Sequence, residues 1–110
     1  MTDAEAEALG RRLVACKGFR VMRGMRDMQG RTWTPDLLWR WHETDMPDLR
    51  DPATLGCVLA LVRVAWGDPR LACVPWRLKW AVDRVWERNG RLSAAHTEAE
   101  ALVAALEAAP

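Results

Sequence analysis

Hydrophobic side chains recur at helical spacing in three stretches of the chain, and each stretch begins with a capping signal. In the first, Thr2 and Glu5 form a capping-box pair, in which the hydroxyl accepts from an unpaired backbone N–H and the carboxylate reaches back. The residues that follow carry one apolar stripe at spacings of three and four: Ala6, Leu9, Leu13 and Cys16. This pattern predicts a helix over residues 3–16, which Gly18 ends.

The middle stretch is apolar nearly all round. Asp51 is a good N-cap and Pro52 suits the first helical position, while Arg63 is the one charged residue of positions 53–66. We expect a helix over residues 52–66 that is the most buried helix of the fold, because its apolar side chains leave little polar face. The last stretch repeats the capping box and predicts a helix over residues 97–108.

The segment between the first two helices has a different pattern. Phe19 and Val21 alternate with Arg20 and Met22, and Gly24 and Gly30 punctuate the run, so we expect short strands joined by tight turns over residues 19–42. Residues 37–42 are ambiguous, because Thr34-Pro35-Asp36 is also a possible helix start. Apolar residues nevertheless alternate there, with Leu37, Trp39 and Trp41 on one side, and we interpret the piece as a strand.

The segment between the last two helices also favours strands. Residues 71–74 are predicted to form a strand that Pro75 stops. Residues 76–88 fit either an alternating strand or a helix, and we favour the strand because Asn89-Gly90 is a strong hairpin-turn signal with residues 91–95 as the returning strand. Together the elements predict an α+β fold, a small antiparallel sheet packed against three helices in a single domain over residues 1–110.

Cysteine usage and the chain's start bear on the cellular compartment. The three cysteines are odd in number and widely spaced, so we expect them to be reduced and to pack as small hydrophobes: Cys16, Cys57 and Cys73. No stretch approaches the ~18 apolar residues of a membrane span, and the acidic N-terminus lacks the layout of a signal peptide. We therefore expect a cytoplasmic protein.

Three stretches resemble a group of small uncharacterised proteins encoded by bacteriophages and prophages. They are residues 13–22, the block PDLRDPATLGC and its continuation over residues 47–67, and the Ala/Glu/Leu-rich residues 97–110. The resemblance covers about half of the chain and implies a phage or prophage origin, a common fold and a place in the host cytoplasm. The group has no assigned chemistry, so the resemblance carries no functional residue over to this chain.

Charge is segregated along the chain although the net charge is only +1. Residues 10–31 carry seven basic residues against one acidic residue, whereas residues 36–51 carry five acidic residues against two arginines. Guanidinium groups bind phosphates and carboxylates, indoles stack on bases, and both are enriched at protein interfaces. The predicted partner-binding residues are Arg20, Arg23, Arg26, Arg31, Trp33, Trp39 and Trp41.

The motifs of enzymes and metal sites are missing from the sequence. No cysteine or histidine pair has the spacing of a zinc site, so we expect no metal. His42 lies beside Glu43, but there is no nucleophile elbow and no glycine-rich phosphate loop. We therefore expect a protein that is not an enzyme and holds no cofactor.

These observations leave more than one kind of binding protein open. We expect a phage accessory protein that binds a host component, such as an anti-CRISPR-like inhibitor of a defence system or a protein that sequesters a signalling nucleotide. The alternative is a nucleic-acid-binding protein that uses an Arg/Trp-rich sheet surface, since Arg77 and Lys79 alternate with Trp76 and Trp80. A purely structural interpretation also stands, in which the arginines pair with acidic residues 43–51 and the indoles fill the core side of the sheet.

Overall fold

The computed structural model of the chain describes residues 1–34 and 46–110. Within them lie, in chain order, α1 (Asp3–Val14), α2 (Pro52–Trp66), β1 (Ala72–Trp76), β2 (Lys79–Asp83), β3 (Arg91–Ala95) and α3 (Glu98–Glu107). The strands form one antiparallel sheet in the order β1-β2-β3. The sheet packs against α3, which also contacts the other two helices. The predicted α+β class is therefore confirmed.

Each of these helices begins at the capping residue that the sequence indicates. The side chains of Thr2, Asp51 and Thr97 each accept a hydrogen bond of 3.0–3.1 Å from the backbone N–H three residues on. The helix α2 has the predicted bounds, and α3 is one residue shorter at each end than predicted. Among the described residues, no helix combines the length and the apolar character that crossing a membrane requires.

Gly18 does not end α1, contrary to the expectation. The helix ends at Val14, and the chain then turns toward α3. A Cβ atom on Gly18 would lie 3.1 Å from Cδ1 of Leu106, so the missing side chain lets this segment pack closely against α3. Gly18 therefore allows close packing and is not the residue that ends the helix.

The most buried helix is α3, so the expectation for the middle helix is wrong. Six of the ten residues of α3 are buried, against four of the fifteen in α2. The helix α3 lies between the sheet and the other helices, and half of its buried residues are small alanines that allow close approach: Ala99, Ala101 and Ala105. The helix α2 packs mainly on α3, which leaves Val64 76% exposed and Leu59 only half-buried.

The strands expected over residues 19–42 are not found in the described part of that segment. Residues 19–34 contain only single bridges, from Arg26 to Thr32 and from Asp27 to Pro47. Several backbone N–H groups there donate to side chains or to isolated turn carbonyls instead of continuing a ladder, as where Oγ1 of Thr54 accepts from the N–H of Arg26. The strand predicted for residues 37–42 lies outside the described residues.

The returning strand predicted over residues 91–95 is confirmed as β3, but the strand favoured for residues 76–88 is interrupted by a turn and ends at Asp83. Arg77 and Leu78 form the tight turn between β1 and β2, with Arg77 at a left-handed φ of 56°. Asn89 and Gly90 do turn the chain toward β3, but within a longer loop over residues 84–90. Pro75 lies inside β1 rather than stopping it, which an edge strand tolerates.

Candidate binding surfaces

A buried acid organises the arginine-rich segment, residues 20–34, which we name the Arg loop. The carboxylate of Asp27 is 1% exposed. Its Oδ1 accepts the backbone N–H groups of Gln29 and Arg31 at 2.9 Å each, and its Oδ2 accepts from Nε of Arg31 at 3.0 Å. One side chain thus closes the turn, as Asp often does in loops.

The Arg loop is also fixed to the rest of the fold. The N–H of Arg26 donates to Oγ1 of Thr54 on α2 at 2.9 Å, and Thr54 is fully buried. The carbonyl of Arg26 accepts from the N–H of Asp48 at 2.8 Å, and the N–H of Met28 donates to the carbonyl of Met46 at 2.9 Å. These bonds hold the backbone of the loop from two sides.

The structure brings part of the predicted site together. Arg20, Arg23, Arg26 and Arg31 are all exposed. The backbone of Trp33 bonds to Met25 and Gly24, which places it beside the bridge between Arg26 and Thr32, and its indole is partly buried. Arg20 precedes this bonded turn. Trp39 and Trp41 lie outside the described residues, so their place relative to the arginines stays a prediction.

In the purely structural interpretation, these arginines pair with the acidic residues 43–51. In the described part of this stretch, Asp48 forms its salt bridge with Arg50 at 2.9 Å, and Asp51 caps α2. Burial raises the pKa of Asp48, but hydrogen bonds from Arg50 and the positive charges of Arg50 and Arg26 together outweigh this effect and leave the pKa below its ordinary value. In the described part of the chain, the salt bridge of Asp48 and the capping hydrogen bond of Asp51 go to partners outside the Arg loop. Glu43 and Asp45 lie outside the described residues.

A second set of arginines stacks on indoles around the sheet. The guanidinium carbon of Arg91 lies 3.8 Å from the ring centre of Trp76, and that of Arg77 lies 5.0 Å from it. Arg70 stacks similarly on Trp86 at 4.0 Å. The sequence pattern singled out Trp76 and Arg77 but missed Arg91 and Arg70, because these pairs depend on strand register and loop geometry.

The β1–β2 turn carries an unusually bare apolar side chain. Leu78 is 97% exposed at the tip of this hairpin. Its neighbours Arg77 and Lys79 are exposed as well. Isolated exposed leucines are common on protein surfaces, so Leu78 alone indicates no site.

The cysteines are free and partly buried against the core, close to the prediction of small packed thiols. Burial raises the pKa of all three thiols, and that of Cys73 reaches about 11. Thiols held neutral in this way are poor nucleophiles and poor metal ligands. Across residues 1–34 and 46–110, no cluster of three or more His, Cys, Asp or Glu side chains has the geometry to hold a metal ion.

Comparison with known proteins gives no relative. The chain matches no protein-family model, no curated protein and no solved structure. The resemblance to phage and prophage proteins therefore stays a prediction. A proposal about function therefore depends on the exposed surfaces of the Arg loop and of the sheet.

Proposed function

We propose that this chain is a non-enzymatic accessory protein of phage origin that binds an acidic surface of a host protein through the Arg loop. The observation that supports the proposal is the buried carboxylate of Asp27. Its hydrogen bonds fix the backbone of the loop that carries the exposed side chains of Arg23, Arg26 and Arg31. A loop that is already ordered loses less conformational entropy on binding, so its charges contribute more of their interaction energy to affinity.

The charge pattern supports a protein partner of opposite sign. Planar guanidinium groups form bidentate hydrogen bonds with carboxylates, and arginine is enriched at interface hot spots. Trp33 lies partly buried beside these arginines and offers an apolar contact at the same place. A component of a bacterial defence system is one host protein that would suit a phage accessory factor. A signalling nucleotide would present the same negative charge, and its capture is a separate outcome of the test.

The test is affinity capture from host lysate with the tagged wild-type chain and a charge-reversed variant, Arg23→Glu with Arg26→Glu. We expect a discrete host protein to be retained by the wild type and lost from the variant, with the melting temperature unchanged. The matched control is Arg11→Glu with Arg88→Glu, which changes the net charge equally at two other exposed positions and should retain the protein.

Each alternative result has a definite meaning. Retention of the host protein by both variants would rule out the Arg loop as its contact. A large fall in melting temperature for Arg23→Glu with Arg26→Glu would assign these arginines a structural role. Ultraviolet-absorbing material released from the purified wild-type protein, with no host protein captured, would point to a nucleotide instead.

A further inference from the structure

The sheet has one face toward the core and one face without a helix in the described structure. Ser93 donates from Oγ to the carbonyl of Ala101 at 2.7 Å, so its side of the sheet faces α3. Val82 pairs with Ser93 and is fully buried on the same side. Side chains alternate along a strand, so the alternate positions lie on the other side, the outer sheet face. These are Ala72, Val74, Trp76, Lys79, Ala81, Asp83, Arg91 and Ala94. A register shift between Val82 and Asp83 brings Arg91 opposite Asp83 on this face, while Leu92 packs against the core.

Trp76 and Arg91 meet across the middle of the outer sheet face. They belong to the two edge strands, and the register places Ala81 of β2 between them. Ala81 has 0% exposure although it points away from α3, in keeping with the indole and guanidinium groups spanning the space above it. The result is a stacked indole–guanidinium platform that is bordered by small side chains, including the exposed Ala94.

The charge of this region selects the chemistry of its ligand. Residues 70–91 carry six basic residues against two acidic residues, although the whole chain has a net charge of only +1. On the outer sheet face itself, exposed Lys79 and Arg91 and the adjacent Arg77 stand against Asp83 alone. A cationic surface that holds a planar aromatic platform complements a ligand with both negative charge and flat rings.

We infer that the outer sheet face binds single-stranded nucleic acid, with Trp76 and the guanidinium of Arg91 as the base-stacking platform and Arg77 and Lys79 as phosphate contacts. In the part of the chain that the structure describes, Ala94 lies beside this platform on β3, and its small exposed side chain leaves room for a base to approach. This activity goes beyond the proposed function, since it uses different residues and a different ligand.

The experiment is fluorescence anisotropy of a labelled oligodeoxythymidine of about 15 nucleotides, long enough to cover one small binding surface. We expect saturable binding by the wild type, and the logarithm of its association constant should fall with the logarithm of salt concentration at a slope of about −1.4, as two phosphate contacts require. Trp76→Ala should weaken binding about tenfold or more, because one stacked base contributes roughly that factor. Trp76→Phe keeps a stacking ring and should restore most of the affinity.

A double variant keeps the test independent of folding. Arg77→Gln with Lys79→Gln removes two exposed charges, and we expect a weaker complex with a shallower salt slope and an unchanged melting temperature. The control, Arg11→Gln with Lys17→Gln, removes the same charge from exposed positions near α1 and should bind as the wild type does.

Three results would overturn the inference. One is the absence of oligonucleotide binding by the wild type at low salt. Another is binding that neither Trp76→Ala nor the double variant weakens, which would place the contact elsewhere. The third is a captured host protein that Leu78→Ser releases while no oligonucleotide binds, which would assign this end of the sheet to a protein partner. None of these results bears on the Arg loop, whose variants lie outside this region.

Discussion

Asp27 and Arg31 share a 3.0 Å salt bridge in which a carboxylate that is 1% exposed meets a guanidinium that is 43% exposed. The same carboxylate accepts the backbone N–H of Arg31, so one acid fixes both the main chain and the side chain of this arginine. Because the acid is buried, salt screens this pair less than it screens an ion pair on the surface. The shape of the Arg loop therefore depends on Asp27.

Replacing Asp27 with alanine should lower the free energy of unfolding by about 3 kcal/mol. The substitution removes the acceptor of two backbone N–H groups and of one guanidinium N–H, and a buried unsatisfied donor costs about 1–3 kcal/mol. Urea unfolding measures the loss. Glu7→Ala is the control, because Glu7 forms an exposed helical pair with Arg11 that contributes at most about 0.5 kcal/mol. Equal losses in the two variants would show that Asp27 is not buried.

Thr54 joins the start of α2 to the Arg loop, and Thr54→Val should break that link. Its Oγ1 accepts from the N–H of Arg26 and donates to Oδ2 of Asp51, both at 2.9 Å. Valine has nearly the same shape and neither function, so we expect a loss of about 2 kcal/mol in urea unfolding. Thr54→Ser keeps the hydroxyl and should lose about 1 kcal/mol or less. A Thr54→Val variant as stable as the wild type would exclude this connection.

The elements with local signals were the predictable part of the fold. Each capping residue acts within one helical turn, so Thr2, Asp51 and Thr97 could be identified without knowledge of the fold. The alternation around Trp80 was likewise sufficient to favour a hairpin over a helix. Position in the core is a property of the whole fold, however. Three of the four alanines of α3 are weakly hydrophobic in sequence yet buried in the structure, and no periodicity in the sequence predicts that burial.

The candidate surfaces were only partly predictable for the same reason. A cluster such as Arg23, Arg26 and Arg31 can be counted in sequence, but its rigidity comes from bonds to distant Thr54 and Asp48. The stack of Arg91 on Trp76 joins residues of two strands that do not pair with each other. This contact depends on the register of the sheet, which the sequence alone does not give.

Two leucines test which helix forms the centre of the core. Leu102 of α3 is 1% exposed, whereas Leu59 of α2 is half-buried at the edge of the core cluster. Leu102→Ala should cost about 3 kcal/mol of unfolding free energy, because a buried leucine leaves a cavity. Leu59→Ala should cost clearly less, since the lost side chain was in part already in water. The order of the two losses in urea unfolding decides the question, and a greater loss for Leu59→Ala would place α2 at the centre.

The thiol of Cys73 should be slow to react at neutral pH. Burial against the core raises its pKa to about 11, and the nearby negative charge of Glu98 acts in the same direction. Because the thiolate is the reactive form, alkylation by iodoacetamide should be much slower than that of a small free thiol and should rise about tenfold per pH unit toward that pKa. Mass spectrometry of digested protein follows the modification at Cys73 separately from that at Cys16 and Cys57.

The raised pKa of Cys73 also makes the free energy of unfolding depend on pH. The folded pKa lies above the ordinary value of 9.0, so the contribution of the neutral thiol is complete below about pH 9 and declines as the pH rises toward about 11. The free energy of unfolding should therefore fall over this window, and Cys73→Ala should reduce the slope, because alanine has no proton to lose. Equal slopes for the two proteins, together with rapid alkylation of Cys73 at neutral pH, would show that this thiol is solvated rather than packed against α3.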